Sequence, residues 1–273
     1  MSAPRIAIIG AGLAGIGAAQ TLRAAGWTAV VFEKSRSFGG RCATRNWEGD
    51  IVDHGAQYFT VGSSEFARVI RAHAQRRVHP IDAPLRHQNG GNFPKKQRYY
   101  HHEGNNRLAR ALSDGVEIRF ESPVSSPQAL GSGWEVCGEA FDHIITTAPL
   151  PQSAALFGLS TGAIDSYEPC LTLLVRYWGE WLGRTSTQYG LAHAPGNGLR
   201  WSACENHKVK RIQPGRTVMV LHASAEFSRR HWDTDPAEWG PLLREELEPA
   251  WGISKAHFDS QFAHRWRYSR IAA

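Results

Sequence analysis

Three glycines and one acid near the start of the chain carry its clearest chemistry: Gly10, Gly12 and Gly15, spaced G-x-G-x-x-G, and Glu33 further along. The combination is suited to holding a dinucleotide. Gly10 permits a tight turn. Gly12 lets backbone approach a pyrophosphate with no side chain in the way, and Gly15 lets a helix pack close to the preceding strand. Leu13, Ala14 and Gly15 open that helix, whose free N–H groups and dipole face the phosphates. Glu33, with Lys34 beside it, closes the next strand, where a carboxylate can accept both hydroxyls of an adenosine ribose. The glycines alone are a weak signal. Here an apolar strand over Ile6–Ile9, a helix to about Ala25, a strand over Ala29–Phe32 and the acid follow in the required order.

The next residues choose between dinucleotides. Arg36, Gly39, Gly40 and Arg41 lie in one loop after Glu33. A nicotinamide dehydrogenase has no need of a glycine pair there. Extended FAD runs back past this loop, and its pyrophosphate needs close backbone and a cation. This R-x-x-G-G-R pattern resembles the FAD-binding fold of the amine-oxidase and glutathione-reductase-like flavoprotein superfamily. Arg36, Gly40 and Arg41 are therefore expected at the cofactor.

A third block, Asp53-His54-Gly55-Ala56-Gln57-Tyr58-Phe59-Thr60, is similar to the D-x-G-A-Q-Y-F-T signature of bacterial renalase-like oxidoreductases. Ile144–Pro149, Leu221–Ser224 with Ser228-Arg229, and His264–Arg270 resemble later blocks of that family in the same order. The resemblance implies oxidation of a dihydronicotinamide-type substrate by hydride transfer to flavin N5, with O2 reoxidising the flavin. It also implies that Gly55 and Ala56 pass close to the flavin ring, that Gln57 and Tyr58 touch flavin or substrate, and that Val124 pairs with adenine through its backbone. His222 falls on a strand along the implied active-site cavity, although a satisfied core histidine is the commoner reading of such a residue, and core packing of a strand start is an equal reading of Gln57 and Tyr58. No catalytic residue is assigned. Alternatives are an amine-oxidase or desaturase-type flavoenzyme on another substrate, or a catalytically silent dinucleotide-binding remnant. Members of the resembled family continue past the His264–Arg270 block into a Gly-Asp strand and a helix under the flavin, so weak flavin retention is expected of these 273 residues alone.

Composition narrows the rest. The net charge of +6 suits anionic ligands such as FAD or a small NAD(P)-like substrate. The basic residues are scattered, and the short runs Lys95-Lys96 and Lys208-Val209-Lys210-Arg211 read as solvated loops rather than a nucleic-acid surface. Cys42, Cys137, Cys170 and Cys204 form no C-x-x-C, which indicates a reducing compartment and no zinc site. His101-His102 is adjacent rather than helically spaced, so no metal is expected. G-x-S-x-G and G-x-x-x-x-G-K-[ST] are absent, which removes hydrolase and P-loop readings. No apolar run reaches the ~18–20 residues of a spanning helix, and the first core strand leaves no room for a cleavable leader. A cytoplasmic protein without membrane contact is expected, its oligomeric state open.

The elements that must position these residues give an α/β fold. A Rossmann-like FAD-binding domain, with a parallel sheet from 5–10, 28–33 and 141–147, is expected over 1–62 and 103–156 with 264–273. Short strands at Val116–Phe120, Trp134–Cys137 and Phe141–Thr147 read as a β-meander. An α+β substrate domain with an antiparallel sheet is expected over 63–102 and 157–263, with Leu171–Trp178 and Thr217–Ala223 as central strands. Helices are expected from Ser64 to about Arg77, over Arg107–Leu112, and over Ala237–Leu247, the last with Pro236 in its first turn and Asp235 as N-cap. Residues 79–97 read as a loop or hairpin.

Overall fold

A computed structural model describes residues 3–91, 93–160 and 167–272. Residues 161–166, inside the span expected for the substrate domain, lie outside the described residues. In chain order the elements are β1 (Arg5–Ile9), α1 (Leu13–Ala24), β2 (Thr28–Phe32), β3 (Thr44–Trp47), β4 (Asp50–Asp53), α2 (Ser64–His73), β5 (Val78–Ile81), β6 (Leu85–His87) and β7 (Arg98–His101). Then come α3 (Asn106–Ala111), β8 (Glu117–Arg119), β9 (Gln128–Leu130), β10 (Gly133–Val136), β11 (Glu139–Phe141), β12 (His143–Thr146) and α4 (Leu150–Leu156). The rest are β13 (Tyr167–Trp178), β14 (Gly190–Ala192), β15 (Leu199–Cys204), β16 (Arg216–Ala223), α5 (Ala225–Arg230), α6 (Pro236–Trp251) and β17 (Phe258–Ile271).

The parallel sheet runs β12-β1-β2-β8. β1 sits inside it because Ile6, Ala7, Ile8 and Ile9 are buried on both faces, as a strand covered on either side must be. β8 corrects one expectation. Residues 116–120 do not belong to the meander: Val30, Val31 and Phe32 pair in parallel with Glu117, Ile118 and Arg119. The meander is β9-β10-β11 alone. Ile118 and its neighbours Val116 and Phe120 are drawn to the sheet because they cover the same core as Ile8, Ile16 and Leu108.

The larger sheet has the order β17-β13-β16-β15-β14-β6, antiparallel except where β6 joins β14. Alternation along β13 decides its two faces. Leu171, Leu173, Val175 and Tyr177 pack beneath Trp239, Leu243, Leu247 and Trp251 of α6. Leu174 faces the other way, with Val218 and Val220, against Val52 of β4. α6 begins as its sequence demands, with the Asp235 carboxylate accepting from Ala237 N at 2.7 Å and Pro236 in the first turn.

Three further expectations differ from what is observed. Residues 264–271 continue β17 and pair with β13 in the antiparallel sheet rather than with the dinucleotide unit. Residues 79–97 hold β5 and β6 in place of one simple hairpin, β5 pairing with β7. Lys208 and Arg211 are not solvated: Lys208 is 0% and Arg211 1% exposed, because carboxylates from elsewhere in the chain surround them. No described helix is long and apolar enough to cross a membrane.

Candidate functional site

The glycine turn between β1 and α1 has the form its spacing requires. Gly10 adopts φ 108°, a conformation side chains disfavour, and donates its N–H to Phe32 O at 2.8 Å. A Cβ on Gly15 would lie 1.9 Å from Gly10 O, so this glycine is what lets α1 pack on the turn. Gly12 differs: a Cβ there would meet nothing within 4 Å. The protein itself does not require glycine at this position, which leaves room for a ligand. No side chain caps α1, and its first internal hydrogen bond runs from Ile16 N to Gly12 O at 3.0 Å. The N–H groups of Leu13, Ala14 and Gly15 precede that bond, at the helix end where backbone donors have no intrahelical acceptor.

Glu33 is 8% exposed. One carboxylate oxygen accepts from Ala11 N and the other from Ser35 N, both at 2.8 Å. A carboxylate has about four lone-pair positions, so two remain for a diol. Ser122 N donates to Glu33 O at 2.9 Å and Glu121 N to Ser35 O at 3.1 Å, which draws the segment leading to Val124 alongside Glu33. The Val124 side chain itself packs with Phe32 and Phe141. Gly39 bridges to Gly12, and a Cβ on Gly40 would come 3.6 Å from Gly12 Cα, so the glycine pair lies against the turn. Lys34 and Arg36 are exposed. Arg36 lines an open cleft beside α3, whereas Arg41 lines an inner cavity, so the two arginines of the loop serve different places.

Asp53 anchors the D-H-G-A-Q-Y-F-T segment in a group of four buried charges. Its Oδ2 accepts from Lys208 Nζ at 2.8 Å and from Arg211 Nη1 at 2.6 Å. Its Oδ1 accepts from Thr44 Oγ1 at 2.6 Å and Asn105 N at 2.9 Å. Glu205 completes the group: its Oε1 forms an ion pair with Lys208 Nζ at 2.7 Å, and its Oε2 accepts from Asp53 N at 3.1 Å. Burial works to raise the Asp53 pKa, but the two cations and the backbone N–H hold it well below the usual carboxylate range. Two positive and two negative groups balance one another, which makes burial tolerable even though Glu205 Oε1 has an ion pair and no hydrogen-bond partner among the described residues. Sequence reading missed this group. Asp53 lies about 150 residues from the other three, and Lys208 and Arg211 look like any exposed basic run.

Beyond Asp53 the chain turns under Arg41. A Cβ on Gly55 would lie 2.2 Å from Arg41 O, and Ala56 N donates to that oxygen at 2.8 Å. Glycine at 55 is thus needed first for backbone to pass backbone. Gly55, Ala56 and Arg41 then meet Cys170, His222, Trp266 and Ser269 of the large sheet around a cavity of about 190 Å³. Thr172 pairs with His222 on one side and His264 on the other, so both histidines share one row and one face. His54 lies over this row, its ring 4.8 Å from that of His264 and 5.5 Å from that of Trp266. His54 O accepts from His222 Nε2 at 3.3 Å and from Trp266 Nε1 at 3.2 Å. Burial, with His264 and Arg45 nearby, pulls the His54 pKa down to about 3, and burial pulls His222 down to about 4. Burial raises the Cys170 thiol to about 11. At neutral pH the cavity wall is therefore uncharged except for Arg41. His54, His264, Trp266, Cys170 and Ser269 were not singled out as site residues. The i, i+2 spacing of His264 and Trp266 was the one available signal, since alternate strand residues share a face.

Gln57 and Tyr58 do not line this cavity. Gln57 Oε1 accepts from Trp201 Nε1 at 2.5 Å, and Gln57 O accepts from Tyr189 OH at 3.3 Å. Gln57 Nε2 is buried with no partner among the described residues. The Tyr58 ring lies 6.2 Å from Trp201, with the Arg98 guanidinium 5.6 Å from its centre. Elsewhere, His101, His102 and Glu103 bring ligand-type atoms within 4.8 Å of one another, but Arg77 holds Glu103 at 2.6 Å and would oppose a cation there.

Residues 8–75 match the NAD(P)-binding Rossmann-like domain family. Amine oxidase [flavin-containing] B of Bos taurus is 27% identical over 164 residues, covering 56% of this chain and 31% of that protein. Flavin-containing monooxygenase FMO GS-OX-like 7 of Arabidopsis thaliana is 31% identical over 152 residues, covering 51% of this chain and 32% of that protein. The matched region thus spans about a third of the length of these curated relatives. Among solved structures, reduced UDP-galactopyranose mutase superposes with a TM-score of 0.79 at 13% identity, covering 96% of this chain and 83% of that one. The fold is Rossmann-like and of the FAD-binding kind. The chain is similar to flavin amine-oxidase-like proteins.

Proposed function

We propose that this chain is a renalase-like, FAD-dependent oxidoreductase that oxidises a reduced dihydronicotinamide-type substrate by hydride transfer to flavin N5, with O2 as electron acceptor. FAD, when bound, supplies the hydride-accepting ring and the route for two electrons to O2. The observation that carries the reading is the cavity in which Arg41, Gly55 and Ala56 of the cofactor loops meet His222 and Trp266 of the antiparallel sheet.

The chain's own residues fit such a cofactor. The space at Gly12 and the free N–H groups of Leu13, Ala14 and Gly15 suit a diphosphate, and Glu33 keeps acceptor capacity for a ribose. Gly55 and Ala56 offer backbone with little side-chain bulk, and Trp266 offers a flat wall. Hydride leaves a dihydronicotinamide without prior removal of a proton, so uncharged imidazoles at His54 and His222 suffice. Among the described lining residues there is a cation, Arg41, and no carboxylate. That balance favours a small anionic, NAD(P)-like donor over an ammonium. Four unpaired cysteines agree with a reducing, cytoplasmic setting.

A second reading, an amine-oxidase or desaturase-type flavoenzyme, draws on the similarity to a flavin-containing amine oxidase. Anaerobic single-turnover flavin reduction separates the two. Dihydronicotinamide isomers should bleach the FAD-loaded protein fast and simple amines should not. Fast reduction by amines alone would overturn the renalase-like reading, and a folded protein that takes up no FAD would overturn both.

A further inference from the structure

We propose that the open cleft between the loop after β2 and the outer face of α3 binds a phosphate-bearing small molecule, at a site separate from the Gly12 turn. The cleft has a volume of about 590 Å³, the size range of nucleotide-scale ligand sites. Arg36 enters it from the loop, and Arg107 and Arg110 enter it from α3. The last two are three residues apart, hence on one helical face.

The convergence of three arginines on one cleft gives it its charge. Arg119, next to Phe120 of the cleft wall, is matched with Glu117, whereas Arg23, whose guanidinium lies against Gly115, has no carboxylate partner among the described residues. Among the described residues Arg36, Arg107 and Arg110 have no carboxylate partner, and Asp114 is the one acid lining the cleft. Three guanidinium groups against one carboxylate leave a local excess of about two positive charges, which a phosphate monoester or diphosphate would neutralise. Planar guanidinium forks match phosphate oxygens two at a time, more closely than they match a lone carboxylate. Phe38 and Phe120, packed edge to face with centroids 4.8 Å apart, supply an apolar wall for the organic part of the ligand. Three arginines gathered around one cleft fit a small molecule rather than the extended basic stripe that a nucleic-acid backbone requires.

The site does not depend on the oxidoreductase reading, and the test keeps the two apart. Inorganic pyrophosphate is titrated calorimetrically at low salt into the intact chain and into its Gly12→Val variant, in which the turn no longer admits a diphosphate. The double variant Arg107→Ala/Arg110→Ala should weaken binding at least about tenfold, the loss expected for charge-assisted hydrogen bonds, with FAD affinity and melting temperature unchanged. Asp114→Asn, which removes a like charge without touching an arginine, should tighten pyrophosphate binding a few-fold and keeps the question answerable if the double variant folds poorly. Gly12→Val, which closes the turn to a diphosphate, should keep the cleft's pyrophosphate binding, the part that the double variant loses. Equal binding by the double variant, no tightening with Asp114→Asn, or loss of binding in Gly12→Val would each overturn the site. Duplex DNA bound more tightly than pyrophosphate, and lost in the double variant, would overturn it in favour of a nucleic-acid surface.

Discussion

Asp53 and Lys208, 155 positions apart in the chain, meet at 2.8 Å with both side chains fully buried. The contact joins the end of β4 to the connection between β15 and β16, and so fixes the dinucleotide half of the molecule to the large antiparallel sheet. Gly55 and Ala56 follow Asp53 directly, which is why they arrive beside His222 and Trp266. The ion pair lines no part of the cavity; it ties the segment that carries Gly55 and Ala56 to the large sheet.

Lys208→Met tests that role. It leaves Asp53 and Glu205 with Arg211 as their remaining cation in a site closed to water. Breaking a buried pair from one side costs about 3–5 kcal/mol. Urea unfolding should show a loss of that order, and a loss under about 1 kcal/mol would mean that the group relaxes freely.

The glycines of the turn should separate binding from folding. Gly12→Val puts a branched side chain into open space, so the FAD-free protein should melt where the parent does while FAD binding is lost. Gly15→Ala puts a Cβ 1.9 Å from Gly10 O and should destabilise the FAD-free protein by about 1–3 kcal/mol. Thermal melts without cofactor, paired with FAD titrations, distinguish the two outcomes. Retention of flavin by Gly12→Val would place the cofactor elsewhere.

Glu33→Ala should weaken FAD binding at least about tenfold, since hydrogen bonds to a charged group contribute about 1.5–3 kcal/mol each. It also leaves the N–H groups of Ala11 and Ser35 without their acceptor, so the FAD-free protein should lose about 1–3 kcal/mol as well. Fluorescence titration with FAD and a denaturant curve check the two parts. Unchanged FAD affinity would remove Glu33 from the ribose site.

The buried histidines predict acid sensitivity. His54 has its pKa held down to about 3 and His222 to about 4, against an unfolded value of about 6.5. The unfolded chain therefore binds more protons as pH falls below 6.5. The stability these groups contribute is complete above about pH 6.5 and is lost on the way down to pH 4 and 3. By pH 5 each should have cost on the order of 2 kcal/mol. Unfolding free energies at pH 7.5, 6 and 5 measure this, and a flat profile would show that the imidazoles take up protons without penalty.

What the sequence determined by itself was local and periodic. The run Ile6–Ile9, the glycine spacing and Glu33 specified strand, turn, helix and acid, because each depends on backbone conformation or side-chain period within a few residues. The Asp235-Pro236 start of α6 was legible for the same reason. Tertiary structure alone decided where β8 pairs, that residues 264–271 extend β17, and that Gln57 and Tyr58 turn toward Trp201 and Tyr189 and away from the cavity. It also turned an apparently solvated basic run into the partner of Asp53, and set Arg36 and Arg41 of one loop to different clefts. Those outcomes rest on burial and on pairings between residues far apart in the chain. A charged side chain carries the same local signal whether water or a distant carboxylate surrounds it, so only the packed chain distinguishes the two.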